Sequence, residues 1–316
     1  MKLSFILIAY NEERTIGPAL DSVFAQTALP AAFEVIVVND GSMDATSDVV
    51  RAYQLTHPQL RLIDMPVNRG RGAARAAGSK AAKGDLLAFV DSDIILPVDW
   101  FDRCNKCMSD FDACAGTAVP DGDVSWIYNT FQLPPKIAPH QTVVTGSNSL
   151  FKRQVFNRVM FKETKKDGED VDLNYQMAAA GIKVTTAPDV VVEHRESKDY
   201  LTSLGWLYVT GLGATRQWYE QRTIRTPDIS FLLFLLLIVS SLAILLADPQ
   251  VVVLLAVLLL LSAFITLTSS LHLQGKFYLA RKPLTALQAV IVNDTLLLAY
   301  FIGRLVGIGK LRGAKS

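Results

Sequence analysis

The sequence predicts an α/β domain built on a doubly wound, mostly parallel sheet, followed by a membrane region. Two observations predict the first part: short apolar runs alternate with segments of helical periodicity, and polar or acidic groups close the runs at Asn11, Asp40 and Asp91. A third predicts the second part, because charged residues nearly vanish from Ile229 until the loop around Lys276.

Leu3–Ala9 is a continuous apolar run, as expected of a strand buried on both faces of a parallel sheet. It leads straight into Asn11-Glu12-Glu13 and lacks a small-residue cleavage site, so it reads as a first strand rather than a signal peptide, with the expectation that the protein is not exported. Thr15–Gln26 is helical by the spacing of Ile16, Leu20, Val23 and Phe24. Glu34–Val38 is a second strand, closed by the turn-forming cluster Asn39-Asp40-Gly41-Ser42. Asp44 is placed to cap a helix over Asp44–Thr56. Arg61–Met65 fits a short strand, Gly72–Ala82 an Ala-rich helix, and Leu86–Val90 a buried strand ending at Asp91. Such alternation implies right-handed crossovers. Ligands of these sheets sit at the carboxyl ends of the strands, which locates a candidate site.

Residues 117–145, with Pro120, Pro134, Pro135 and Pro139, read as an irregular connection beside that site. Thr145–Phe151, a helix around Asp170–Ala180 and a strand at Lys183–Val192 complete a domain over 1–226. In the membrane region, 227–316, Ile229–Ala247 and Val251–Leu271 each approach the roughly 20 residues needed to cross a bilayer. Only Asp248-Pro249-Gln250 separates them, and Arg216, Arg222, Arg225, Lys276, Arg281 and Lys282 flank them. That pattern predicts a helical hairpin with both ends, and the catalytic domain, on the cytoplasmic side. Leu287–Gly307 is interrupted by Asn293, Asp294 and Arg304, and an interfacial helix is favoured there over a third span.

The 316 residues carry a net charge of +1, which gives no bulk attraction to nucleic acid. Cys104, Cys107 and Cys114 include a C-x-x-C pair but no second pair to complete a structural zinc site, so they read as reduced thiols on one helix.

The strongest local signal is Asp91-Ser92-Asp93 after a hydrophobic strand. Two carboxylates so spaced can bracket a hard divalent cation, although a solvated loop end has the same composition. With this motif stand S-F-I-L-I-A-Y-N-E-E at 4–13, E-V-I-V-V-N-D-G-S-M-D-A-T at 34–46 and N-R-G-R-G-A-A-R-A-A-G at 68–78. T-G-S-N-S-L-F-K-R at 145–153 and G-E-D-V-D-L at 168–173 follow in the same order. Together the six segments resemble the family 2 glycosyltransferases of the GT-A fold, from Leu3 to about Trp218.

The resemblance implies an inverting enzyme using a nucleotide-diphosphate sugar, a UDP-sugar favoured, with Mn2+ or Mg2+. Ala9, Tyr10 and Glu12 would line the nucleoside pocket, and Asp40 would accept a hydrogen bond from the base, where the alternative is an Asp capping its own turn. Asn39 stands where the family often has a second Asp. Gly70 would let backbone approach the nucleotide and Arg71 would meet phosphate. Asp93 would be the main metal ligand, with Asp91 toward the ribose and metal-bound water, and His194 closing the metal site. Asp170 would be the base that deprotonates the acceptor hydroxyl, and Glu169 would hold the acceptor; alternatively both merely favour a helix N-terminus. The Gly146-Ser147-Asn148 turn would shape the acceptor side.

The expected partners are the lipid bilayer, a lipid-linked or membrane-proximal glycan acceptor, and a second copy packed through the membrane helices. Two alternatives stay open: a processive polysaccharide synthase and a catalytically silent membrane scaffold. Arg216-Gln217-Trp218 echoes a processive signature, but its order and spacing differ.

Overall fold

The computed structural model describes residues 2–121, 144–195, 200–221, 229, 231–236, 238–240, 256 and 283–313. The described residues fall into two compact units, one up to residue 195 and one from residue 200 onward. The helix over 200–221 therefore groups with the later residues, although the sequence suggests a boundary at 226.

The first unit is an eight-stranded sheet in the order β3-β2-β1-β4-β7-β6-β8-β5. The strands are β1 Leu3–Ala9, β2 Phe33–Asn39, β3 Leu60–Asp64, β4 Leu86–Asp91, β5 Ile94–Ile95, β6 Ala113–Asp121, β7 Asn148–Lys152 and β8 Val184–Arg195. Their helices are α1 Ile16–Phe24, α2 Thr46–Gln54, α3 Arg71–Ala81, α4 Trp100–Cys107 and α5 Glu169–Ala179. Strands β1 to β4 run parallel, as the alternating pattern predicts. Beyond β4 the sheet becomes mixed: β6 and β8 are parallel, but β7 is antiparallel to both β4 and β6, and β5 is antiparallel to β8. A hydrophobic run gives burial but not direction, which is why only the backbone pairing reveals the mixed half.

The apolar run of β1 follows from its place in the layers. Phe5 and Leu7 face Ile16, Leu20 and Trp100, while Ile6 and Ile8 face Ala74, Phe89 and the opposite layer. Both faces are covered, so no position can be polar unless it is satisfied, and each fully buried Phe or Leu stabilises by about 1.5–3 kcal/mol. Helix α3 is small-sided because it lies close to the sheet: a Cβ at Gly78 would collide with the Ile6 side chain.

The stretch from residue 117, expected to be irregular, continues as strand β6 to Asp121; residues 122–143 lie outside the described part. The three free thiols are not on one helix, since Cys104 and Cys107 belong to α4 and Cys114 to β6.

In the second unit, helices α6 Tyr200–Gln221 and α7 Pro283–Gly313 pack backbone to backbone. A Cβ on Gly211 would strike the Tyr300 carbonyl, and one on Gly303 would strike the Tyr208 carbonyl. The Thr215 hydroxyl donates to the Arg304 carbonyl at 3.0 Å beside Gly307. The Arg304 guanidinium is buried with its Cζ 4.7 Å from the Phe231 ring centroid. Most of the expected spans 229–247 and 251–271 lies outside the described residues. The segment 287–307 lies within the continuous helix α7. Among the described residues no helix is long and apolar enough to cross a membrane.

Candidate active site

The ends of β1 and β2 form the first wall. The Ala9 carbonyl accepts the Asp40 N–H at 2.9 Å, which ties the two strand ends together where the chain leaves the sheet. Asn11 adopts φ +57°, and its side-chain oxygen accepts the Met43 N–H at 2.9 Å. Asn tolerates this left-handed backbone better than most residues because its side chain hydrogen-bonds locally. Glu12 donates its N–H to Thr46 Oγ1 at 2.8 Å and accepts the Thr15 hydroxyl at 2.5 Å. Tyr10 is 42% exposed at the mouth of this wall. The N-cap of α2 is Ala45 rather than the expected Asp44, which stands one residue earlier and accepts the Thr46 N–H at 3.0 Å. Partial burial works to raise its pKa, but the Thr46 hydroxyl and the nearby N–H groups outweigh that and hold the carboxyl below its ordinary value.

Asp40 is 4% exposed, and each carboxylate oxygen has a backbone donor: the Arg69 N–H to Oδ1 and the Gly70 N–H to Oδ2, both at 2.7 Å. The carboxylate thus shapes the 69–70 turn whatever else it binds. Gly70 is required there, since its φ is +91° and a Cβ would lie 2.5 Å from Lys166 Cα. Asn39 has a local reason for being an amide. Its Nδ2 donates to Asp64 Oδ1 and Ser47 Oγ, each at 2.7 Å, and a carboxylate at this position would face Asp64 as a like charge.

A second wall is built on a buried arginine. Arg75 on α3 donates from Nη2 to Asp91 Oδ1 at 2.6 Å and forms an ion pair through Nη1 with Glu169 Oε1. It thereby joins the end of β4 to the first residue of α5. Gly168 before that helix has φ +68°, so a glycine turn delivers Glu169 and Asp170 to this wall. The 146–148 turn belongs to the same wall. A Cβ at Gly146 would lie 2.5 Å from Arg75 Cζ, the Ser147 carbonyl accepts the Asp91 N–H at 3.0 Å, and the Asn148 side-chain oxygen accepts the Trp100 indole N–H at 2.6 Å.

The third grouping is Asp93 with His194, where Oδ2 and Nε2 lie 2.9 Å apart. Pairing of Ile94 with His194 in β5 and β8, and the Arg195 N–H donated to the Asp93 carbonyl at 2.7 Å, bring together residues far apart in the chain. Asp93 Oδ1 is buried and lacks a hydrogen-bond partner. A buried carboxylate oxygen left without a donor, next to an imidazole, suits a divalent cation that takes oxygen and nitrogen ligands. The expected trio is not assembled, however. Among the described residues no group of three or more His, Cys, Asp or Glu could hold a metal ion, and Asp91 is turned to Arg75.

Residues 4–160 match the sequence profile described as Glycosyl transferase family 2. This segment of the chain belongs to glycosyl transferase family 2. Similar proteins include a dolichyl-phosphate beta-glucosyltransferase, ALG5C, of Trichomonas vaginalis, 40% identical over 33% of this chain and 32% of its own length. Another is the glycosyltransferase AglE of Haloferax volcanii, 26% identical over 70% of this chain and 75% of its own length. With the first of these curated relatives the chain shares only about a third of their length. Among solved structures, the mannosyltransferase PcManGT from Pyrobaculum calidifontis, in complex with GDP-Man and Mn2+, covers 96% of this chain and 86% of that one, with TM-score 0.62 and 21% identity. S. aureus TarS in complex with UDP covers 96% and 90%, with TM-score 0.52 and 18% identity. These likenesses establish the GT-A-like fold.

Just beyond the family 2 segment, the acidic pair at the start of α5 divides in two directions. Glu169 is 2% exposed and faces Arg75, whereas Asp170 is half-buried and its Oδ1 accepts only the Val171 N–H at 2.7 Å among the bonds described. Arg71 extends from the first position of α3 to Asp167, with Nε 4.0 Å from Glu169 Oε2. The resemblance gives roles to Gly70 and Arg71 in the 68–78 segment, and none to Arg75 in the same segment. Its signal was a lone charge inside A-A-R-A-A, which on a helix seated this close to a sheet has to be buried and paired.

Proposed function

We propose that this chain is a divalent-metal-dependent, inverting glycosyltransferase that takes a sugar from a nucleotide diphosphate, a UDP-sugar favoured, to a lipid-linked or glycan acceptor. The observation that carries the reading is the Arg75 bridge, because it sets the Asp91–Asp93 turn beside the Glu169–Asp170 pair. Asp93, which would hold the metal, follows Asp91 by two residues, and Asp170, the base, follows Glu169, so both partners of the bridge adjoin the groups that transfer between a diphosphate and a hydroxyl requires.

Ala9, Tyr10, Glu12 and the 69–70 turn form the nucleoside side. The Asp40 oxygens retain lone pairs for an imide N–H from the base after accepting their backbone donors. Asp93 and His194 would hold Mn2+ or Mg2+, with the donor diphosphate and water completing its ligands. When bound, the ion supplies charge neutralisation for the departing diphosphate. Asp170 removes the proton from the attacking sugar hydroxyl, a poor nucleophile near neutral pH, and attack opposite the leaving group inverts the anomeric carbon. If the acceptor is a lipid phosphate, already ionised, Asp170 positions it instead. Arg71 is within reach of phosphate once it leaves Asp167.

Residues from 200 onward supply the membrane association in this reading. Leu232, Leu233, Leu236, Ile238 and Val239 expose large apolar surface, and Ile302, Leu305 and Val306 do so on α7. Flotation of the full chain with lipid vesicles tests that part.

The catalytic part is tested with a panel of UDP- and GDP-sugars, measuring nucleotide release with and without Mn2+. Release that needs the ion and is lost in Asp93→Ala is the expected result. Equal release from wild type and Asp93→Ala would make the protein a silent scaffold.

A further inference from the structure

We infer that Arg75 is a positioning residue that sets the distance between the donor and acceptor halves of the active site. The inference rests on the glycosyltransferase reading above and adds a role for a residue to which that reading gave none.

The argument starts with how little freedom this side chain has. Helix α3 is wedged at both ends: a Cβ at Gly72 would strike the Lys162 and Lys165 carbonyls, and one at Gly78 would strike Ile6. The backbone that carries Arg75 is therefore fixed to the sheet on one side and to the 162–165 segment on the other. The guanidinium is then confined by the Gly146 backbone, while its Cζ lies 5.9 Å from the Phe161 ring centroid. Arg75 is 2% exposed, so nothing on the surface requires a cation here.

A confined planar fork reaches two carboxylates from different elements. Nη2 meets Asp91, the last residue of β4, and Nη1 meets Glu169, the first residue of α5. Asp91 belongs to the same short turn as Asp93, and Glu169 is the neighbour of Asp170. A shift of the fork therefore moves the metal-side carboxylates and the base relative to each other. Lysine cannot do this, since a single ammonium lacks the rigid two-pronged geometry that meets both partners at once. Glu169 is on this account held away from the acceptor and acts through Arg75.

The test uses the full chain as wild type, Arg75→Lys, Arg75→Met and the double variant Arg75→Met/Glu169→Gln. Steady-state turnover is measured with the nucleotide sugar that the panel selects, together with thermal unfolding and hydrogen–deuterium exchange. Arg75→Met is expected to lower kcat by about 100-fold with little change in donor KM, the signature of a misplaced reacting pair. Arg75→Lys is expected to recover the melting temperature but only part of kcat. The double variant, which removes the more deeply buried of the two carboxylate charges that Arg75 balances, is expected to recover stability and not turnover. Recovery of kcat along with stability in the double variant would reduce Arg75 to charge compensation and overturn the proposal. If the wild type releases no nucleotide, the glycosyltransferase reading fails separately, and the exchange data still decide the strut. Exchange in Arg75→Met is expected to quicken at both 91–93 and 169–172, and quickening at only one of them would overturn it.

Discussion

The carboxylates at the two sides of the site are satisfied in different ways. In the parallel half, Asp40 is held by the backbone N–H groups of Arg69 and Gly70, and its position follows from the turn itself. Where the parallel half meets the mixed half, Asp91 at the end of β4 and Glu169 are held by Arg75 and Asp93 faces His194, so their positions depend on side chains from other elements. A carboxylate bonded to backbone is part of the fold and has little room to change. One bonded to side chains can exchange its partner for a ligand, and the chemistry proposed here lies entirely on that side.

If this contrast holds, substitutions on the Arg75 side cost activity and those on the Asp40 side cost stability. The largest expected effect is Asp93→Ala, a loss of metal-dependent nucleotide release of roughly 1,000-fold with little change in the urea midpoint. Next, Asp170→Asn is expected to lower kcat by about 100-fold or more when the acceptor is a sugar hydroxyl, and much less when it is a phosphate. Comparing the two acceptor classes with one variant sharpens the reading of α5. In the parallel half, Asp40→Ala strands two buried donors and is expected to destabilise by about 2–4 kcal/mol, read by denaturant unfolding. Gly70→Ala, strained by its φ of +91° and by contact with Lys166, is expected to cost about 2–3 kcal/mol. An Asp40→Ala protein as stable as wild type would break the comparison.

The smallest effect concerns Tyr53, whose hydroxyl donates to Asp21 at 2.8 Å. Burial, the hydrogen bond and the Asp21 charge push its pKa up to about 12, above the ordinary value of 10.0. The folded state therefore keeps a proton that the unfolded chain loses, so this contribution is intact below pH 10 and is lost as pH rises toward 12. Tyr53→Phe is expected to flatten the stability profile over that range only.

Sequence reasoning reaches the parallel half well, because a run buried on both faces is apolar throughout and its polar terminus stands out. Asn11, Asp40 and Asp91 were legible for that reason, and so was the pairing of Gly70 with a special backbone position. The mixed half was less legible. The direction of β7 leaves no trace in its composition, β6 runs into a proline-bearing segment, and β5 is only Ile94–Ile95. Arg75 was hidden by its neighbours, since an Ala-rich run reads as a helix before its one charge is asked for a partner. The acidic pair was legible as a pair, but not the different surroundings of Glu169 and Asp170, since Glu169 is buried against Arg75 of α3.

The crossing of α6 and α7 has a consequence of its own. A seam made of side chains can repack around a substitution, whereas Gly211 and Gly303 meet bare carbonyls and leave nothing to rearrange. Added volume at either glycine can only prise the helices apart, while the outward positions between them are open to almost any apolar residue. A saturation library scored for abundance would accordingly trace this joint as isolated intolerant sites in a permissive background, and the same trace would locate the joint in more divergent sequences.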